Sequence, residues 1–229
     1  MEIHLEPCGP WSLQDTVKPY FRHFLVCTGM AGWPPRIEEA EGLLGRMARD
    51  VRSLRDVLGT PPKLTATDEP TADHGFDLLV YPDAIRYHGV DERIWPAILR
   101  EHVEGGAVAR GVRSSPLQPR AVFVCVHGAR DERCGCRGPA ILRELREACA
   151  AEGLDVEVRA TSHVGGHKYA ANVIVYPEGI WYGTVRPEDV PMIVREHLVE
   201  NRWVAPLLRG RMAAGQLRAP AAPAGDGSA

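Results

Sequence analysis

Two cysteines and two histidines in the second half of the chain have the residue types and spacing of a soft-metal site. Cys125 and Cys134 enclose eight residues in CVHGARDERC, and His163 and His167 flank Val-Gly-Gly in SHVGGHK. Thiolates and imidazoles together bind zinc, copper or the iron of an iron–sulfur cluster. The two glycines between the histidines supply the backbone freedom that a close approach of four ligands requires. The pattern therefore predicts a metal centre built from two loops.

Cys136 leaves other chemistry open. Cys134-Gly135-Cys136 could act as a dithiol pair, so a thiol-dependent redox enzyme that uses Cys134 and Cys136 is one alternative. A zinc-stabilised binding module is another, although structural zinc sites usually place about two to four residues between their cysteines. We expect Cys149 to be a buried core residue, because it shares one helical face with apolar residues. Cys27 lies at the end of an apolar strand, so we expect it to be a small buried core residue as well.

The elements that must position these residues occur twice. At an offset of 95 residues, LLVYPDAIRYHGV at 78–90 aligns with VIVYPEGIWYGTV at 173–185, and a slightly larger offset places Cys27 on Cys125. Such a match indicates two copies of one structural unit. The positions that correspond to the two histidines are Asp68 and Ala72. The first copy is therefore predicted to have the scaffold without the ligands.

Hydrophobic patterning predicts the same order of strands and helices in both copies. The second copy reads as a strand at 121–126, a helix at 138–151, a strand at 154–160, a polar loop at 161–171, a hairpin at 173–185 and a helix near 188–200. The first copy reads as a strand near 23–28, a helix near 37–58, an irregular stretch at 60–75, strands near 76–81 and 84–90, and a helix near 92–104. This order predicts an α/β fold.

The copies suggest a division of the chain into domains. We expect a ligand-free domain at 1–110, a linker at 111–120 rich in Pro, Ser and Arg, and a metal-binding domain at 121–208. The Ala/Gly/Pro-rich tail at 209–229 has no apolar periodicity and is expected to be disordered.

Composition excludes several classes of protein. Apolar residues make up 45% and charged residues 25%, and the net charge of -3 argues against a general nucleic-acid binder. No apolar stretch is long enough for a membrane span, and the N-terminus lacks a signal-peptide pattern, so we expect a cytoplasmic protein. Six cysteines in 229 residues are too few for a disulfide-stapled secreted module.

The motifs resemble those of the sucrase/ferredoxin-like family, in CVHGARDERCGCRGPA, in SHVGGHKYAANVIVYPEGIWYG and in the layout from about residue 20 to 205. The resemblance implies tandem thioredoxin-like units, the second of which carries a [2Fe-2S] cluster. It also implies that the cysteine pair binds one iron and the histidine pair the other, which designates Cys125, Cys134, His163 and His167. The family name suggests a glycosidase, but no pair of carboxylates for that chemistry is evident in the sequence.

A one-electron carrier is the function that this resemblance implies. Two imidazole ligands make a cluster less reducing than four thiolates do, and their outer nitrogens could couple electron uptake to proton uptake. Four cations lie beside the ligands in sequence and could dock an acidic redox partner protein: Arg130, Arg133, Arg137 and Lys168.

Overall fold

The structure is a computed structural model, and it describes residues 12–54, 58, 60, 62–71, 74–118 and 120–213. Its described residues form a single mixed sheet of ten strands. The strands are β1 His23–Cys27, β2 Lys63–Thr67, β3 Phe76–Tyr81, β4 Ile85–Val90, β5 Ser114–Pro116, β6 Ala121–Cys125, β7 Glu157–Thr161, β8 Val173–Tyr176, β9 Ile180–Tyr182 and β10 Leu208–Arg211.

Four α-helices pack against this sheet within the described ranges. They are α1 Gly42–Ser53, α2 Trp95–Ile98, α3 Glu132–Ala151 and α4 Val190–Met192. A π-helical segment extends α2 over Leu99–Glu104 and another extends α4 over Ile193–Val199. No helix in the described part of the chain is long and apolar enough to cross a membrane.

The sheet joins the two halves of the chain at its centre. The strand order is β10-β9-β8-β6-β7-β2-β1-β3-β4-β5, in which β1 and β2 are parallel, as are β6 and β7. Strands β2 and β7 meet antiparallel where Thr67 pairs with Thr161. The Thr65 and Thr161 hydroxyls are 2.8 Å apart at this joint. One continuous sheet therefore spans both halves, and the α/β prediction is confirmed.

Three apolar clusters form the core. One packs α3 and α4 on the second half of the sheet, and another packs α1 and α2 on the first half. The third lies on the opposite face and combines residues from both halves. At its centre Tyr81 stacks on Tyr176 with ring centroids 4.5 Å apart and an interplanar angle of 15°.

Three strands occupy segments for which the sequence predicted none. Strand β2 lies inside the stretch read as irregular, because its Thr65 and Thr67 are buried hydrogen-bonding residues rather than apolar ones. Strand β5 lies within 111–120 and pairs with β4. Strand β10 includes the first residues assigned to the tail, and Arg209 there is 2% exposed. The remainder of that prediction, 214–229, lies outside the described residues.

Helix α3 begins six residues earlier than its predicted start at Gly138-Pro139. Asp131 caps it, because its carboxylate accepts a hydrogen bond from the Arg133 backbone N–H at 3.1 Å. Pro139 therefore lies inside the helix. The buried stripe of α3 starts at the second cysteine: Cys134, Gly138, Ile141, Leu145 and Cys149. The prediction that Cys134 lies in a loop is wrong, since it lies in the first turn of a helix.

Candidate metal centre

The structure brings three of the four predicted ligands together. Cys125 ends β6, Cys134 lies in the first turn of α3, and His163 lies in the loop after β7. Their thiol sulfurs and one imidazole nitrogen are all within 4.8 Å of one another. Both cysteines are buried and His163 is half-buried. Such a compact group of two thiols and an imidazole suits a soft or borderline metal ion.

Glycines allow α3 to approach the end of β6 this closely. A Cβ on Gly135 would lie 2.5 Å from the Gly128 Cα, and a Cβ on Gly138 would lie 3.0 Å from the Val126 Cα and overlap the Cys125 carbonyl oxygen. Any larger residue would push the helix outward. The two glycines of α3 therefore set the position of Cys134 relative to Cys125.

His163 has a nitrogen whose environment fits a metal ion. Its Nδ1 is buried and has no hydrogen-bond partner among the described residues. A buried polar atom without a partner costs free energy, which a bond to a metal would recover. The His163 backbone N–H donates to His127 Nδ1 at 3.1 Å, and His127 Nε2 lies 3.3 Å from the Trp33 carbonyl oxygen. Because His127 Nδ1 accepts, its Nε2 carries the proton and donates to Trp33.

His167 lies beside this group without joining it. Its ring centroid is 5.8 Å from that of His163, and the two rings are inclined by 30°. Its Nδ1 is 3.6 Å from an Asp131 carboxylate oxygen, and its side chain is 49% exposed. Three predicted ligands are therefore placed together, and the fourth is their immediate neighbour.

The two thiols share a proton-binding environment. A hydrogen bond from Cys134 lowers the pKa of the Cys125 thiol, against the opposing effect of burial, and contacts with the His163 side chain and with the backbone of Val164 and His127 act in the same direction. The hydrogen bond to Cys125 and burial together raise the pKa of Cys134. A metal ion would displace the thiol protons, because thiolates are the metal-binding form.

The other cysteines are placed differently. Cys136 is exposed and follows Cys134 by two positions on α3, a spacing at which helical side chains do not face each other. The helix geometry therefore does not favour a dithiol pair of Cys134 and Cys136. Cys27 is buried in the apolar core, and burial raises the pKa of Cys149 to about 11, as expected for a core thiol.

The four cations that were predicted to dock a redox partner are only partly directed toward solvent. Arg133 forms two hydrogen bonds with the Asp131 carboxylate, at 2.9 and 3.0 Å. Arg137 donates to the Ala170 carbonyl at 2.8 Å. Arg130 and Lys168 are exposed. These last two residues are the most accessible of the four cations.

Sequence reasoning missed two residues that support the site. His127 accepts the His163 backbone N–H, and Asp131 both caps α3 and lies beside His167. The position of Asp131 just before a helical apolar stripe is an N-cap signal that was available in the sequence. No pattern distinguishes His127 from a solvated loop histidine.

A mixed α/β sheet with a Cys-Cys-His group at the junction of one strand, one helix and one loop defines a class of candidate metalloproteins. Within that class the chain belongs to the sucrase/ferredoxin-like family, whose profile matches residues 13–210. The family resemblance inferred from the motifs is therefore confirmed.

Relatives named "Altered inheritance of mitochondria protein 32" share parts of this sequence. The protein of that name from Clavispora lusitaniae is 44% identical over 102 residues, covering 43% of this chain and 37% of its own length. The one from Meyerozyma guilliermondii is 46% identical over 237 residues, covering 87% of this chain and 83% of its own length. The chain thus spans only about a third of the first of these relatives.

A solved structure also matches part of the chain. A variant of the thioredoxin-like [2Fe-2S] ferredoxin from Aquifex aeolicus is 29% identical, covering 40% of this chain and 99% of that chain, with a TM-score of 0.38.

Proposed function

We propose that the chain is a one-electron carrier whose [2Fe-2S] cluster is held by Cys125, Cys134, His163 and His167. The observation that carries the proposal is the convergence of three of these side chains within 4.8 Å, together with the unpartnered buried Nδ1 of His163. A bound cluster would supply reversible one-electron chemistry. Membership of the sucrase/ferredoxin-like family supports this choice of cofactor.

Neighbouring residues of the chain hold the four proposed ligands in place. Cys125 and Cys134 would bind one iron, and His163 and His167 the other. His127 holds the backbone of His163, and the Asp131 carboxylate faces His167 Nδ1. A carboxylate beside a histidine ligand commonly orients its ring. The same proposal treats the two halves as tandem thioredoxin-like units, of which the second carries the cluster.

The test is metal analysis of protein purified without oxygen. We expect about two irons and two acid-labile sulfides per chain, with visible absorption from thiolate-bound iron. Cys125→Ser, Cys134→Ser and His163→Ala should abolish or reshape this spectrum. Cys136→Ser is the matched control, since it removes an exposed thiol two residues from Cys134. Colourless protein without iron or sulfide would refute the proposal.

A zinc centre is the second candidate, and one observation favours it. Cys125, Cys134 and His163 form a three-ligand group that excludes His167, as in zinc sites that keep a fourth position for water. Stoichiometric zinc without sulfide, retained in His167→Ala and lost in His163→Ala, would establish this alternative. Iron and sulfide that depend on both histidines would exclude it.

We also propose an acidic redox partner protein that docks beside the cluster ligands. The support is the exposure of Arg130, which lies between Cys125 and Cys134, and of Lys168, which follows His167. Surface charges of this kind mainly change association rates, and salt screens them. Once a partner is identified, Arg130→Gln should slow electron transfer at low salt and have little effect at high salt.

A further inference from the structure

The loop that carries His163 is held by strand β2, which belongs to the first half of the chain. Ser162, the residue before His163, is buried and exchanges two hydrogen bonds with Ala66 of β2. Its backbone N–H donates to the Ala66 carbonyl at 2.9 Å, and its hydroxyl accepts the Ala66 N–H at 2.9 Å. These bonds fix the backbone up to Ser162, so the next N–H along the chain, that of His163, depends on its own acceptor. That acceptor is His127 Nδ1, at 3.1 Å.

His127 can accept this N–H in only one of its two neutral forms. A neutral imidazole carries one proton, on Nδ1 or on Nε2, and the nitrogen without the proton is the acceptor. Nδ1 of the buried His127 therefore accepts only when the proton is on Nε2. The Trp33 carbonyl oxygen lies 3.3 Å from Nε2, and a carbonyl accepts hydrogen bonds but cannot donate them. A carbonyl of the first half thus selects the form of His127 that can hold His163.

Trp33 itself is held in place on three sides. Its indole Nε1 donates to the Thr28 hydroxyl at 2.9 Å, and that hydroxyl lies 2.8 Å from the Thr67 carbonyl oxygen at the end of β2. Its ring meets the His127 ring edge-on, with centroids 5.7 Å apart and an interplanar angle of 86°. Pro34 follows it in the sequence and disfavours a helical backbone at Trp33. The direction of the Trp33 carbonyl is therefore fixed by the first half of the chain.

We propose that Trp33 is a positioning residue of the candidate metal centre, through which the first half of the chain sets the orientation of His163. The path runs from the Trp33 carbonyl through the His127 ring to the His163 backbone N–H. Hydrogen-bond partners behind a histidine ligand orient it, and their loss typically lowers metal affinity about tenfold to a hundredfold. The inference rests on the metal centre proposed above and gives the half without ligands a part in it.

The first measurement uses the full chain without metal. Long-range proton–nitrogen NMR spectra distinguish the two neutral forms of a histidine, and we expect the His127 proton on Nε2. Thr28→Val keeps the shape of the side chain but removes the acceptor of the Trp33 indole N–H. It should speed the exchange of the His163 amide with solvent deuterium about tenfold, because the hydrogen bond to His127 is weakened. Thr28→Ser retains the hydroxyl and should leave that exchange rate within about twofold of the wild-type rate.

The second measurement titrates Co²⁺ alone into the metal-free full chain and follows its visible absorption, since Co²⁺ is coloured and binds thiolates and imidazoles. Trp33→Phe removes the indole N–H, and Thr28→Val removes its acceptor. Each should weaken Co²⁺ binding about tenfold. Trp95→Phe is the matched control, because Trp95 is buried in the same apolar cluster as Trp33 and its indole donates to Asp50 Oδ2 at 2.8 Å. It should also lower stability but change Co²⁺ affinity less than about twofold.

Three results would overturn the role of Trp33. The first is a His127 proton on Nδ1. The second is wild-type Co²⁺ affinity in both Trp33→Phe and Thr28→Val. The third is an equal loss of Co²⁺ affinity in Trp95→Phe, which would indicate general destabilisation of the first half. A wild-type chain that binds no Co²⁺ is a different outcome, since it would refute the metal centre itself while the NMR measurements still report whether Trp33 and His127 hold His163.

Discussion

Replacing Gly135 by alanine should weaken metal binding without altering any ligand. A Cβ at this position lies 2.5 Å from the Gly128 Cα, whereas ordinary van der Waals contact begins at 3.4 Å. The three atoms nearest to this Cβ all belong to the Gly128 backbone, so no side chain can rotate away. The first turn of α3 must therefore move by about 0.9 Å relative to the segment that follows β6.

That displacement acts directly on the metal centre. Cys134 precedes Gly135 and moves with it relative to Cys125 and His163, whose ligand atoms now lie within 4.8 Å of one another. Metal–ligand distances vary by only about 0.2 Å, so a shift of this size should lower metal affinity by about tenfold to a hundredfold. Overpacking should cost about 1–3 kcal/mol, offset by about 1 kcal/mol from the better helix propensity of alanine.

The assay measures two quantities for each variant, the metal content per folded chain and the midpoint of thermal unfolding. Gly45→Ala is the matched control, because its Cβ would overlap the Ala40 carbonyl oxygen in the other half of the protein. It should lower the midpoint of thermal unfolding by about 2–4 °C for each kcal/mol of unfolding free energy lost, and leave the metal content unchanged. Gly32→Ala, whose Cβ would have no atom of the described residues within 4 Å, should change neither quantity. Wild-type metal content in Gly135→Ala, or equal metal loss in Gly45→Ala, would refute the reasoning.

Three further predictions concern histidines. His127→Phe leaves the partly buried His163 backbone N–H without its acceptor, so it should lower the free energy of unfolding, measured in urea, by about 1–3 kcal/mol and reduce metal retention; no change in either would contradict the role of His127. Burial, aided by Lys63, holds the pKa of His23 well below its ordinary value, so only the unfolded chain gains this proton at mildly acidic pH. The free energy of unfolding should therefore fall by about 1.4 kcal/mol per pH unit as the pH drops below about 6.5, and His23→Gln should reduce that slope. If His163 and His167 are ligands with accessible outer nitrogens, the reduction potential should fall by about 59 mV per pH unit while they titrate, and a flat potential from about pH 5 to 10 would disprove the coupling.

The apolar strands were predictable because their own residues form the hydrophobic pattern of a buried strand. β6 and β8 are continuous runs of buried β-branched and aromatic residues, which suit central strands of a sheet. β2 was not predictable in this way, since its residues Lys63–Thr67 include buried threonines whose partners come from distant segments. A polar strand of this kind is specified by its neighbours in the sheet rather than by its own pattern.

The candidate site was likewise predictable from the sequence only in part. Cys125 and His163 could be found from residue type and spacing, and the start of α3 at Asp131 left a capping signal in the sequence. The unpartnered Nδ1 of His163 and the support from His127 could not be found, because they depend on packing between segments far apart in the chain. Arg209 lay in a segment that composition alone assigned to disorder, although its side chain is buried.

The apolar cluster around Tyr81 and Tyr176, here called the aromatic face, contains residues from both halves of the chain. A cut between the halves should therefore not separate them. A single protease cut in the largely exposed segment at 110–113 would leave two pieces that still share a sheet and an apolar cluster. Such a nicked protein should migrate as one species in native gels and as two in denaturing gels. Each piece alone would expose a central strand edge, β2 or β7, together with half of the aromatic face. Separated pieces should therefore aggregate, so the first half keeps the apolar face of the second half, which carries the candidate ligands, out of water.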